Sequence, residues 1–164
     1  MFLNLQRSHF YQIDAIDAPS AFFQHLGLLL KSRDTLVVGC YDARDDIYNF
    51  LVNVGTISSR HRLQSTFDVM RPDYPRGHAF HIPATEENLV ALVQLVLTAS
   101  SFKEYCDHIA GYSEEAPLFS YHDAFRSPLY ISSAIPEDKV REFSAVVSTT
   151  GYKIQTEQGA AANS

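Results

Sequence analysis

The sequence predicts a mixed α/β domain, with a central mixed sheet of five to seven strands and helices packed on it. Three observations carry that expectation. The chain passes repeatedly from an apolar run, through a proline or an acid-rich turn, into an amphipathic helix. Connections of hairpin length at 71–77 and 123–127 imply antiparallel neighbours and argue against a purely parallel, doubly wound sheet. The 164 residues are 46% hydrophobic and 20% charged, an ordinary globular composition with enough length for one core without metal or disulfide staples. A single domain over residues 1–156 follows, with a mobile C-terminal tail over 157–164 that carries GAAANS.

Residues 2–13 mix aromatic and aliphatic side chains and read as a first strand. Asp17-Ala18-Pro19-Ser20 opens a helix, because proline in the first turn gives up only an N–H that would be unpaired there. Phe22, Leu26, Leu29 and Leu30 form its buried stripe, and Lys31-Ser32-Arg33-Asp34 ends it. Leu36 to Tyr41 is a strand without a polar face, the mark of a strand covered on both sides. Asp42 is the expected N-cap of the next helix, with Asp45 in its first turn and Ile47, Phe50, Leu51 and Val54 at helical spacing.

Residues 56–77 carry no helical stripe, and a structureless loop of that length is uncommon inside a domain. Leu63, Phe67 and Val69 alternate with Gln64, Thr66 and Asp68, which predicts a half-exposed strand. The segment 71–77 is a turn-rich loop leading to a strand over His78 to Ile82. Pro83-Ala84-Thr85-Glu86-Glu87 then begins the longest helix, with acids where the N-terminal dipole favours them. Leu89 to Leu97 is apolar nearly all round and is expected to be buried on almost every side, in the core or against a second subunit; a homodimer is the expected arrangement.

Phe102, Tyr105, Cys106 and Ile109 have the spacing of a shorter helix ending at Gly111. Pro117 to His122 and Pro128 to Ser133 read as two strands joined by 123–127. Ile135-Pro136-Glu137-Asp138 opens a last helix with Val140, Phe143 and Val147 on one face, and Tyr152 to Gln155 closes the sheet. No sequence repeat is present.

Charge and composition exclude several classes. A net charge of −6 argues against general nucleic-acid binding, which needs a basic surface. The start MFLNLQRSHFYQID lacks the basic and then apolar pattern of a signal peptide. The most apolar window, Leu89 to Leu97, is far shorter than the roughly 20 residues of a membrane span. Cys40 and Cys106, the two cysteines of the chain, fall in apolar settings that predict buried thiols rather than a disulfide. A cytoplasmic location is expected, without association with a membrane. The seven glycines are scattered, so no phosphate loop or dinucleotide fingerprint is present and no cofactor is expected.

Three polar groupings invite chemistry. Asp42, Asp45 and Asp46 follow a strand, as magnesium-binding carboxylates do, but YDARDD lacks an aspartate-x-aspartate arrangement and capping explains it. Cys40 ends a strand before a helix, yet Val38 and Asp42 are poor residues for a nucleophile elbow. His122 and Asp123, as neighbours on a strand, point to opposite faces and would not orient one another simply. His78 and His81 likewise fall on opposite faces of a strand, whereas Glu104 and His108 share a helix face; neither pair completes a zinc site.

The basic imbalance between Arg60 and Arg76 is sharper. Arg60, His61, Arg62, Arg71 and Arg76 occupy seventeen residues that hold only two acids, in a chain with 13 Lys plus Arg against 19 Asp plus Glu. Arginine forks suit carboxylate or phosphate, so Arg60, Arg62, Arg71 and Arg76 are the candidate ligand-binding residues for a small anionic ligand or an acidic protein partner. The plainer account, and the favoured one, is a solvated loop whose charges offset the acidic remainder. Twenty Tyr and Phe residues (9 and 11) include Tyr112, Phe119, Tyr121, Phe125 and Tyr130 around the late hairpin, expected mostly in the core or as cross-strand pairs.

The landmarks HIPATEENL, CDHI at Cys106 to Ile109, and YHDAFRSPLYISSAIPEDKV from Tyr121 resemble a bacterial family of small α/β proteins. That resemblance covers most of the chain from Thr35 to Ile154, implies one folded unit and carries no catalytic residue. The leading expectation is therefore a non-catalytic binding or interaction domain inside the cell. The alternative is a small hydrolase-like enzyme using Cys40, His122 and Asp123 with the loop arginines.

Overall fold

The computed structural model describes residues 9–40, 43–56, 78–99, 106, 108–114 and 116–156. Seven strands form one sheet: β1 (His9–Ile13), β2 (Thr35–Cys40), β3 (His78–Pro83), β4 (His108–Ser113), β5 (Ala116–Tyr121), β6 (Leu129–Ser132) and β7 (Lys153–Thr156). Their spatial order is β3-β2-β4-β5-β6-β1-β7. Every pair is antiparallel, so the sheet expected to be mixed runs in alternating directions throughout. Among the described residues four helices accompany it: α1 (Pro19–Gln24), α2 (Asp45–Val54), α3 (Glu86–Leu97) and α4 (Glu137–Val147), with a 3₁₀ turn over Leu26–Leu28.

Two crossovers organise the order. β3 and β4 flank β2 and are joined through α3, while β6 and β7 flank β1 and are joined through α4. The register places Leu36, Val38 and Cys40 of β2 on the same side as Phe80, Ile82, Ile109, Tyr121, Ile131 and Tyr11. All four helices add their buried residues to that side, including Phe22, Leu51, Leu92 and Phe143. The opposite side carries a second, small cluster of Val37, Ala110 and Tyr112, with Ala79 packed against it.

Aromatic rings knit the layers together. Phe22 of α1 lies 5.4 Å from Tyr121 of β5, 5.7 Å from Phe143 of α4 and 5.7 Å from Phe125 in the turn after β5. Such ring pairs add about 0.5–1.5 kcal/mol each beyond the area they bury. The expectation that most late aromatics serve the core holds for Phe119 and Tyr121, which are fully buried. Burial drives the Tyr121 phenol far above its ordinary pKa, and the nearby backbone of Phe125 offsets this only in part.

Several element starts follow the expected chemistry. Pro19 takes the first position of α1. Thr85 caps α3, its hydroxyl accepting from Asn88 N–H at 3.2 Å, with Glu86 and Glu87 in the first turn. On α4, Val140, Phe143 and Val147 are fully buried on one face. Asp34 closes the turn after the 3₁₀ helix, with its carboxylate accepting from Lys31 N–H at 2.6 Å.

Four expectations need correction. The helix after β2 begins at Asp45 with Arg44 in the N-cap position; Asp42, the residue expected there, lies outside the described residues. Asp45 and Asp46 supply the first-turn acids instead, and Asp46 also holds Arg44 through contacts of 2.6 and 2.8 Å. The helix predicted to end at Gly111 is not formed there, because His108–Ser113 is a central strand between β2 and β5. A short apolar run has no periodicity that separates a buried strand from a buried helix. The longest helix is not buried all round: Leu92 and Val96 are buried, whereas Val90 and Leu97 are 54% and 49% exposed. A helix lying on one face of a single sheet has core on one side only. The last strand starts at Lys153, one residue later than expected.

The strand predicted over 63–69, the loop 71–77, the four arginines Arg60, Arg62, Arg71 and Arg76, and the tail 157–164 all lie outside the described residues.

Candidate functional site

The polar residues that the structure gathers are His108, His122 and Asp123, at one end of β4 and β5. His108 opens β4 and pairs with Gly39 of β2. Ile109 pairs with Tyr121, so one step outward His108 and His122 stand opposite one another on adjacent strands. Both fall on the side away from the helices, because Ile109 and Tyr121 face the helical layer. Their ring centroids are 4.3 Å apart with planes inclined by 39°.

Gly39 makes the space for this pair. A Cβ there would sit 3.3 Å from His108 Cβ and 3.7 Å from its Cδ2, so the absence of a side chain lets the imidazole lie against β2. His108 is only 4% exposed. Its Nδ1 accepts a hydrogen bond from the Asp123 backbone N–H at 3.0 Å. An imidazole nitrogen that accepts carries no proton, so the neutral ring holds its hydrogen on Nε2.

Asp123 leaves the strand rather than continuing it. Its φ is 45°, and Phe125 two residues later has φ 67°. Both lie in the left-handed region, which aspartate tolerates and phenylalanine rarely adopts. The turn is held by Arg126 N–H donating to Asp123 C=O at 2.9 Å and by the Phe125 ring, 5.3 Å from Tyr121 and 6.0 Å from Phe23. This bend corrects the expectation that His122 and Asp123 point apart. His122 Nδ1 lies 3.2 Å from Asp123 Oδ2, with the side chains 30% and 43% exposed. Alternation holds only while the backbone stays extended, and β5 ends at Tyr121.

One ligand atom from each of His108, His122 and Asp123 lies within 4.8 Å of the others. Two imidazoles and a carboxylate can share a proton, orient a polar ligand or hold a cation. Sequence reasoning treated His108 as helical and paired it with Glu104, so it missed this grouping. The available signal was the hairpin: two strands joined near residue 114 put His108 and His122 opposite one another once β4 is recognised.

Cys40 does not join them. It is 3% exposed within the apolar core on the helix side of the sheet, one residue along from Gly39 and on the other face from His108. Cys106 is also buried, and the two thiols form no disulfide. The register pairs His78 with Cys40 and His81 with Val37, positions of opposite parity, as expected for residues three apart on a strand. His81 is buried and its Nδ1 lies 3.1 Å from the Tyr112 hydroxyl.

A concavity of about 430 Å³ lies in the helical layer, between the α1 region and α3, lined chiefly by Phe23, Leu30, Leu89, Val90 and Val93. Its lining is mostly apolar, with Gln24, Ser32, Gln94 and one titratable residue, Glu86, among the others. Among the described residues no helix is long and apolar enough to cross a membrane.

Comparison with protein-family models, with curated proteins and with solved structures found no match to this chain.

Proposed function

We propose that this chain is a small non-catalytic domain that binds an anionic ligand at the end of the sheet formed by His108, His122 and Asp123. The observation that carries this reading is the separation of Cys40 from the polar cluster. The thiol is enclosed on the helix side while both histidines occupy the other face, so the hydrolase-like alternative loses its nucleophile.

The preference for an anion rests on Arg60, Arg62, Arg71 and Arg76. The chain that bears them re-enters the sheet at His78, which pairs with Cys40, next to the Gly39–His108 pair. Arg76 precedes that entry by two residues. A cytoplasmic setting in a bacterium accords with two thiols unjoined by a disulfide. A homodimer accords with the exposed Val90 and Leu97 on α3, although neither residue belongs to the binding site.

The test is a thermal-shift and calorimetric screen of phosphate, pyrophosphate and carboxylate metabolites, since a ligand selective for the folded state raises its melting temperature. Replacing Arg62 and Arg76 with Gln should leave the fold intact and weaken binding at least tenfold, with affinity falling as salt is added. Anion affinity indifferent both to these arginines and to His122→Ala would refute the site. Turnover of an ester or phosphoester abolished by Cys40→Ala would refute the non-catalytic reading.

A further inference from the structure

The geometry points to a divalent transition-metal site at His108, His122 and Asp123, and this inference rests on the ligand site proposed above. Imidazole nitrogen with one carboxylate oxygen suits zinc, cobalt(II) or nickel(II) rather than calcium or magnesium, which prefer all-oxygen shells. The three donors lie within 4.8 Å of one another, close enough to converge on one ion after small adjustments of side chains, since metal–ligand bonds are about 2.0–2.2 Å.

The surroundings favour such a role over a solvated ion pair. His108 is buried and its ring is fixed against Gly39, so one donor is preorganised. Its Nδ1 lone pair already faces Asp123, held by that residue's N–H at 3.0 Å. A cation taking this lone pair replaces the hydrogen bond with a coordinate bond and leaves the proton on Nε2, so the imidazole stays neutral. Asp123 adds the one negative charge, and the left-handed turn at φ 45° aims its carboxylate back along β5 toward His122. Proximity to His122 Nδ1, 3.2 Å from Asp123 Oδ2, places the second imidazole at the same point.

Three protein donors leave at least one coordination position open. An open position on a cation is where a phosphate or carboxylate oxygen would bind. The anionic ligand then completes the shell, which names the chemistry that the site recognises.

Titration of the full chain with zinc sulfate alone, by calorimetry in a non-chelating buffer, tests this. Cobalt(II) serves as a second probe through its visible absorption. The expected result is one ion per chain, with affinity reduced at least tenfold by His122→Ala and by Asp123→Asn, and unaffected by His25→Ala on the helix side. The Asp123 amide resonance should also shift on binding. His108→Ala risks the fold because the ring is buried, so the decision rests on the two exposed donors. Absence of zinc binding up to about a millimolar, or binding that ignores both variants, overturns the metal site. If pyrophosphate binds in the presence of EDTA and depends on Arg62 and Arg76, the metal inference fails while the anion-binding reading stands.

Discussion

Gly111 offers the most exacting check on the packing. It lies in the middle of β4, paired with Leu36 on one side and Phe119 on the other. A Cβ added there would fall 2.4 Å from Phe119 Cε1, 2.7 Å from Leu30 Cδ2 and 2.9 Å from Phe119 Cδ1. Ordinary contact begins near 3.4 Å, so the ring must withdraw by about 1 Å from a site packed to interior density. Phe119 and Leu30 are both buried; Leu30 borders the concavity between the α1 region and α3, but the closest contact is with the fully buried Phe119 ring, which has to move most. Overpacking of this kind costs roughly 1–3 kcal/mol, offset by the roughly 0.4–1 kcal/mol that Gly→Ala recovers by restricting the unfolded chain. The net expectation for Gly111→Ala is a loss of about 1–2 kcal/mol, or roughly 2–8 °C in melting temperature for a chain of this length. Equilibrium urea unfolding with a thermal scan measures it. Gly27 supplies the contrast, because a Cβ there meets no atom within 4 Å, so Gly27→Ala should be neutral or slightly stabilising. Equal stability of the two variants would refute the idea that β4 and Leu30 close over a position that only glycine can fill.

Leu92→Ala should cost about 2–4 kcal/mol through a cavity under α3, whereas Val90→Ala on the exposed face should change urea unfolding by less than about 0.5 kcal/mol. Arg44 donates to Leu95 C=O at 3.0 Å and to Thr98 Oγ1 at 2.7 Å, tying the end of α3 to the start of α2. Arg44→Met should therefore lower stability by about 1 kcal/mol, with part of the loss masked at high salt because the side chain is 28% exposed. Asp17 accepts from both the backbone and the hydroxyl of Thr149 at 2.7 Å, which holds its carboxyl pKa below the ordinary value. A depressed folded pKa gives stability that is present above the unfolded value, near pH 4, and lost as pH falls through the folded one. Asp17→Asn should flatten that acid limb in a pH series of melting temperatures, and an unchanged slope would contradict the assignment.

The class of fold was legible because apolar runs and helix-opening turns are local signals. Pro19, Thr85 with Glu86 and Glu87, and the stripe Val140-Phe143-Val147 mark helix starts and buried faces by chemistry that acts within a few residues. The late hairpin was legible for the same reason, with strands and turn adjacent in the chain. Partnering was not. Residues 108–113 carry His, Ile, Ala, Gly, Tyr and Ser, a run that becomes a strand because β2 and β5 enclose it on both sides. Ile109 and Gly111 lack any local mark of that. The cluster of His108, His122 and Asp123 depends on the same hidden pairing, together with a left-handed residue at Asp123 that breaks strand alternation. Cys40 was correctly read as buried, since five of the six residues of its strand are buried on one face or the other.

The position of β1 shapes how the chain must be built. Its two neighbours are β6, over a hundred residues downstream, and β7, later still. On a ribosome β1 therefore waits, without β6 or β7, until most of the residues after it have emerged. The run from β2 to β5 needs no such delay, because each of those strands finds a neighbour among the others. Late arrivals then close around an early segment, and loop-closure entropy is spent before that closure brings its contacts. A release factor or a protease acting before residue 153 would leave β1 with one bare edge and His9 to Ile13 available to any passing strand. The same arrangement that makes the finished sheet continuous makes its assembly the interval of greatest exposure.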